Sequence, residues 1–186
     1  MTNDEKAVAL IKQAMSLLWG DEMMTSEGML ETPHRIVKHW KAVTKGLYED
    51  PEEPLKKQFS CTHDEIVILK DIPFFSLCEH HLLPIIGTAN VAYIPNGRVV
   101  GLSKIPRALD ILAARPQLQE RLTTELGELV WNSLNPLGVA ITVTATHTCM
   151  TTRGALKPGS TCTTSFMRGA FRENTVARTE FLELIK

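Results

Sequence analysis

The sequence has no charge bias: 20 lysines and arginines oppose 21 aspartates and glutamates across 186 residues, a formal net charge of −1. That balance argues against nucleic acid or an anionic membrane as the partner of a whole face, and leaves open a local basic site for a small anion. Cysteine is scarce, at positions 61, 78, 149 and 162. So few thiols make no dense disulfide framework. The chain is expected in the cytoplasm, where thiols stay reduced and serve metals or catalysis. No run of about 18 apolar residues occurs, so no transmembrane helix is expected. The N-terminus lacks a signal peptide's basic lead: Asp4, Glu5 and Lys6 stand there, and Lys12 and Gln13 interrupt the apolar run. There is no internal repeat and no low-complexity segment. Hydrophobic residues make up 44% of the chain, enough for the core of one domain with a helical extension.

Val8, Ile11, Met15 and Leu18 recur at helical spacing, with Asn3 as the expected cap. "TPHRIVKHWKAVTKG" predicts a second helix, with Thr32 as cap, Pro33 in the first turn and Gly46 at the end. "LYEDPEEPLKKQ" has a linker's composition. "EIVILKDI" and "GTANVAYI" predict strands, and "PNG" at 95–97 predicts a turn that returns "RVVGLS" as a hairpin strand. "IPRALDILAA" and "QLQERLTTELGELVWNSL" predict helices, the second with a stripe at Leu118, Leu122, Leu126 and Leu129. In "GVAITVTATHTC", Val139 through His147 and Cys149 alternate with a threonine face, and "STCTTSF" is the expected partner strand. "TVARTEFLELIK" closes the chain as a helix. The order predicts an α+β fold with an antiparallel sheet, a helical region and linker over 1–60, and the main domain over 61–186.

The chemistry concentrates in "FFSLCEHHLLPIIG" and "HTC". Cys78, Glu79, His80 and His81 lie inside an apolar stretch, where polar groups are costly unless something binds them. Period-two geometry predicts His147 and Cys149 side by side, and Cys78 and His81 can converge in a turn. Two cysteines and three histidines in two short segments point to zinc. Counting leaves the alternatives open: three ligands with an open position for water, or a closed structural site of Cys78, His81, His147 and Cys149. For Cys61 and Cys162 the ordinary role of a small hydrophobe suffices. Ser103, Lys104 and Arg107 in "LSKIPR", Arg153 and Lys157 in "TTRGALKPGS", and Arg35 in "TPHR" sit in loops and at helix starts. Such placements suit phosphate, although each alone is most often a solvated charge. A zinc deaminase fits poorly, because the H-x-E and P-C-x-x-C pairing is absent.

Together "SLCEHHLLPIIGTANVAYIPNGRVVGLSKIPR", "QLQERLT", "HTCMTTRG", "ETPHR", "STCTTS" and "FRENTVARTEFL" resemble the signature blocks of GTP cyclohydrolase I, from about Glu31 to Leu182. The resemblance implies conversion of GTP to 7,8-dihydroneopterin triphosphate with release of formate. It implies Cys78, His81 and Cys149 as zinc ligands, with an open position for water. His147 would protonate nitrogen 7 of guanine, and His80 and Ser103 would handle the ribose hydroxyls. Gln119 and Glu120 would meet the guanine edge. Lys104, Arg107, Arg153 and Arg35 would bind the triphosphate. Glu79 would have an indirect or structural role. The implied architecture is the tunnelling fold, an antiparallel sheet backed by helices, assembled as a homodecamer of two pentamers with active sites between subunits. The competing expectations are another purine- or pterin-handling protein of that fold, a related zinc hydrolase, and a non-catalytic module with structural zinc.

Overall fold

The apolar stretches on either side of Cys78–His81 form one antiparallel hairpin. In the computed structural model, which describes all 186 residues, the elements in chain order are α1 (Asn3–Trp19), α2 (Asp21–Met24), α3 (Thr32–Val43), β1 (Gln58–Ser60), β2 (Val67–Cys78), β3 (Pro84–Ile94), β4 (Arg98–Val100), α4 (Lys104–Ala113), β5 (Pro116–Gln117), α5 (Gln119–Leu134), β6 (Gly138–His147), α6 (Thr148–Thr151), β7 (Cys162–Gly169), α7 (Ala170–Glu173) and α8 (Thr175–Leu184). The chain is α+β. It divides into two compact units, Met1–Thr44 and Lys45–Lys186. No helix is long and apolar enough to cross a membrane.

The N-terminal unit is helical. Thr2, one residue before the expected Asn3, caps α1: its hydroxyl accepts from Glu5 N–H and the Glu5 carboxylate accepts from Thr2 N–H. Met15 is buried, whereas Leu18 faces outward. In α3, Pro33 lies in the first turn, where a missing N–H costs nothing, and Glu31 rather than Thr32 holds the cap position. Arg35 is exposed in that same turn.

The second unit holds a five-stranded sheet in the order β5-β2-β3-β6-β7. β2, β3, β6 and β7 each run antiparallel to their neighbours, and β5 adds a short parallel pairing to the end of β2, with Cys78 opposite Gln117. β2 bulges at Asp71, whose φ is 52° and whose N–H donates to Asn90 Oδ1. One sheet face packs Ile85, Ala89, Val91, Val139, Ile141 and Val143 against Ile105, Leu109 and Leu112 of α4 and Leu122, Leu126 and Val130 of α5. Each of the valine, leucine and isoleucine side chains, fully buried, stabilises the fold by roughly 1.5–3 kcal/mol. A second cluster joins Ala92 and Ala140 to Phe171 and Phe181, whose rings meet edge to face at 5.8 Å. The Asn174 side chain accepts from Val176 N–H and starts α8.

Three expectations change. β4 does not return along β3; after the turn at Gly97 (φ 75°) it pairs with β1. The segment 47–58 is not a free linker, since Leu55 is buried in the core and Gln58 opens β1, which pairs with β4. The division accordingly falls at Thr44/Lys45 rather than 60/61. β6 ends at His147, so Cys149 sits on the helical turn α6 and strand alternation does not place it.

Close approach of β3 and β6 depends on Gly87. A Cβ there would lie 2.3 Å from Thr144 O and 2.5 Å from Ala145 Cβ. Gly87→Ala is expected to destabilise the unit by about 1–3 kcal/mol. The change would be read as a lower denaturant midpoint with an unchanged m-value.

Candidate metal centre

The turn between β2 and β3 is held from inside. Cys78 N–H donates to Leu83 O at 2.8 Å, and Cys78 O accepts from Leu82 N–H at 2.7 Å and from His81 N–H at 3.3 Å. Leu82 takes a left-handed conformation, φ 52°, uncommon for a leucine and costing about 1–2 kcal/mol. This tight turn brings His81 Nδ1 to 3.8 Å from Cys78 Sγ. The third member arrives from β6. Ile85 is registered opposite His147, and Thr148 Oγ1 donates to Pro84 O at 2.7 Å. α6 therefore starts beside β3 and delivers Cys149. The ligand atoms of Cys78, His81 and Cys149 all lie within 4.8 Å of one another.

That spacing fits a metal. With zinc–sulfur and zinc–nitrogen bonds of about 2.3 and 2.0 Å, tetrahedral edges are roughly 3.5–3.8 Å. Two thiols and an imidazole are also the donors a borderline-soft cation selects. Burial pushes the Cys149 thiol up, and the adjacent Cys78 adds to it, while the Arg153 charge opposes. A divalent cation would relieve that crowding by stabilising both thiolates.

His147 stands outside the three-membered group. Its Nε2 lies 2.7 Å from Gln119 Oε1. Burial lowers its pKa, and the Glu120 carboxylate opposes that shift. Glu120 is exposed on the first turn of α5, with a carboxylate free to face a ligand. Gln119 differs from the sequence expectation. It is only 2% exposed, and Nε2 donates to Val143 O and Cys162 O, both at 3.0 Å, with Thr164 Oγ1 at 3.2 Å. Its amide is turned into the sheet and offers no free group to a guanine edge.

His80 points out of the turn with a side chain 62% exposed, 4.0 Å from Glu79 Oε1 and edge-on to the His81 ring. Ser103 occupies the cap position of α4 without making a capping bond, so its hydroxyl is not engaged there. Lys104 follows at the first helical position. Arg107 is on the outer face of α4, lining a depression of about 240 Å³ with Lys45, Glu49, Pro54, Asp110 and Ile111. Arg153 is exposed in the loop after α6, near enough for its charge to act on Cys149. Arg35 belongs to the N-terminal unit.

Across residues 10–186 the sequence matches the family described as GTP cyclohydrolase I. It is 50% identical to the GTP cyclohydrolase 1 of Pelotomaculum thermopropionicum over 183 residues, covering 98% of this chain and 95% of that one. It is 45% identical to the GTP cyclohydrolase 1 of Caldanaerobacter subterraneus over 186 residues, covering 100% and 98%. Identity to the GTP cyclohydrolase 1 of a Geobacillus species is 48% over 183 residues, covering 98% and 95%.

The chain belongs to the GTP cyclohydrolase I family.

Two supports of the turn escape a sequence reading. Arg121, on α5, forms an ion pair with Glu79, and Glu79 N–H donates to Gln117 O at 3.1 Å. Gln117 is itself buried, with Nε2 donating to Leu112 O at 3.1 Å and Glu125 Oε2 at 2.9 Å. These contacts tie the turn to the helix that carries Gln119 and Glu120. The "CEHH" and "QERLT" blocks that contain Glu79 and Arg121 were legible, but their pairing was not, because nothing local joins them. As a partly exposed pair it adds little to global stability, about 0.2–1 kcal/mol. Its loss would loosen the turn. Arg121→Ala is therefore expected to weaken metal affinity about tenfold, the low end for a supporting contact, while the melting temperature barely moves. Chelator competition and a thermal scan on the same sample check both.

Proposed function

We propose that the chain is a zinc-dependent GTP cyclohydrolase I that converts GTP to 7,8-dihydroneopterin triphosphate and formate. The observation that carries this reading is the convergence of Cys78, His81 and Cys149 without His147, in a chain of this family. Three protein ligands leave a coordination position for water, which four would not. Bound there, zinc would lower the pKa of that water and supply a nucleophile near neutral pH.

The chain's own residues would supply the rest. His147 holds a proton for nitrogen 7 of guanine as the imidazole ring opens. Glu120 accepts from nitrogen 1 and the exocyclic amine, which would disfavour adenine because it presents the wrong edge. His80 and Ser103 move protons at the ribose hydroxyls during ring opening, rearrangement and reclosure. Two hydrolytic steps free carbon 8 as formate, and closure of the pterin ring returns one water. Lys104 at the start of α4, with Arg107 and Arg153, binds the triphosphate; a helix start favours an anion.

The sheet backed by α4 and α5 supports assignment to the tunnelling fold. A homo-oligomer, a homodecamer with sites between subunits, is supported by what the single chain leaves uncovered. Alternate residues around the turn are buried, but Phe75 is 39% exposed, Leu82 39% and Ile86 56%, beside exposed His80 and His81. One chain alone does not keep this site dry, and a neighbouring copy over that rim would. The test is to incubate metal-loaded protein with GTP, oxidise, and read pterin fluorescence alongside formate, with ATP and apo-protein as controls. Pterin and formate from GTP alone, lost in the apo-protein, are expected. Neither product from assembled, metal-loaded protein would overturn the reading.

A further inference from the structure

We propose that Gln119 is a positioning residue that fixes neutral His147 as its Nε2–H tautomer, leaving Nδ1 as the nitrogen that exchanges a proton with the substrate. The inference rests on the reading of His147 as the acid–base group, and deepens it.

The hydrogen positions follow from the acceptors around one amide. Val143 O and Cys162 O are backbone carbonyls, and each lies 3.0 Å from the same Gln119 atom. Carbonyls only accept, so that atom must be the NH₂. The third neighbour agrees. Thr123 Oγ1 donates to Gln119 O at 2.8 Å and lies 2.6 Å from Thr164 Oγ1. With the Thr123 proton committed, Thr164 must donate to Thr123, and Thr164 Oγ1 is then an acceptor for Gln119 Nε2 at 3.2 Å. Reversing the amide would set its oxygen against three acceptors inside the protein. Gln119 Oε1 therefore faces His147 Nε2 at 2.7 Å, and an amide oxygen only accepts. Nε2 must carry the proton.

The consequence is chemical. The Nε2 proton is held in a part-buried bond, and an imidazole fixed through one nitrogen works through the other: Nδ1 takes up a proton and passes it to nitrogen 7. Gln119 thus orients His147 without touching the substrate. This explains how a polar side chain in the "QERLT" block can be turned wholly away from solvent.

The test is neutron diffraction from crystals of the zinc-loaded protein, exchanged into heavy water at a pH above the ordinary imidazole range. The expected map has deuterium on His147 Nε2, on the line to Gln119 Oε1, and the Gln119 ND₂ facing Val143 and Cys162. Deuterium on Nδ1 with Nε2 bare, or a reversed amide, would overturn the proposal. The second measurement is steady-state kinetics of Gln119→Leu, with assembly and zinc content verified. A positioning role lowers kcat about 10–100-fold and leaves KM for GTP within about twofold. A raised KM with kcat unchanged would make Gln119 a substrate contact and overturn it. A wild-type protein that makes neither pterin nor formate would defeat the proposed function instead, while the neutron map would still decide the tautomer.

Discussion

Cys149→Ser is expected to remove the metal and the activity together. Cys149 reaches the centre from α6, whose first residue is anchored to Pro84, and it supplies one of the two sulfurs in a group whose ligand atoms lie within 4.8 Å of one another. Serine keeps the size but replaces a thiol that a bound cation can hold as thiolate with a hydroxyl that gives up its proton far less readily, and zinc favours thiolate. Bound zinc, by atomic emission, should fall from one per chain to below about a tenth, and GTP turnover by at least about a thousandfold, as the activated water is lost. Removing zinc from the wild type with a chelator should have the same effect, reversed by adding zinc back. Cys61→Ser is the control and should change neither, since Cys61 is outside the metal group. Full zinc occupancy in Cys149→Ser would mean that the metal sits elsewhere.

His147→Ala separates chemistry from coordination. His147 is bonded to Gln119 and not to the three-membered group. The variant should hold a full complement of zinc and lose about 10²–10⁴-fold in turnover, the usual contribution of a positioned acid–base group. It also leaves Gln119 Oε1 without its donor, so stability should fall by about 1–3 kcal/mol, seen as a lower melting temperature. Loss of zinc in this variant would indicate a closed site in which His147 is the fourth ligand, and would favour a structural metal.

The parts of this account legible in the sequence were those written in local pattern. "EIVILKDI" and "GTANVAYI" predict strands that overlap β2 and β3, "GVAITVTATHTC" and "STCTTSF" predict partners that pair as β6 and β7, and the capping signals predict helix starts to within a residue or two. Cys78 and His81 meet because their turn is short, and short turns are readable. What failed was long-range. "PNG" followed by "RVV" reads as a hairpin, yet β4 pairs with β1, because hydrogen-bonding partners far apart in sequence are not encoded by turn residues. Segment 47–58 reads as linker by composition, although Leu55 is drawn into the core. The inward turn of Gln119 is set by carbonyls of Val143 and Cys162 on two other strands. The Glu79–Arg121 pair is invisible for the same reason.

The most direct test of an open metal site is X-ray diffraction from crystals of the zinc-loaded protein at wavelengths on either side of the zinc edge. One anomalous peak per chain is predicted, bonded by Cys78 Sγ, His81 Nδ1 and Cys149 Sγ, with His147 Nε2 still on Gln119. A peak that also binds His147, or one centred away from Cys78, His81 and Cys149, would contradict the account.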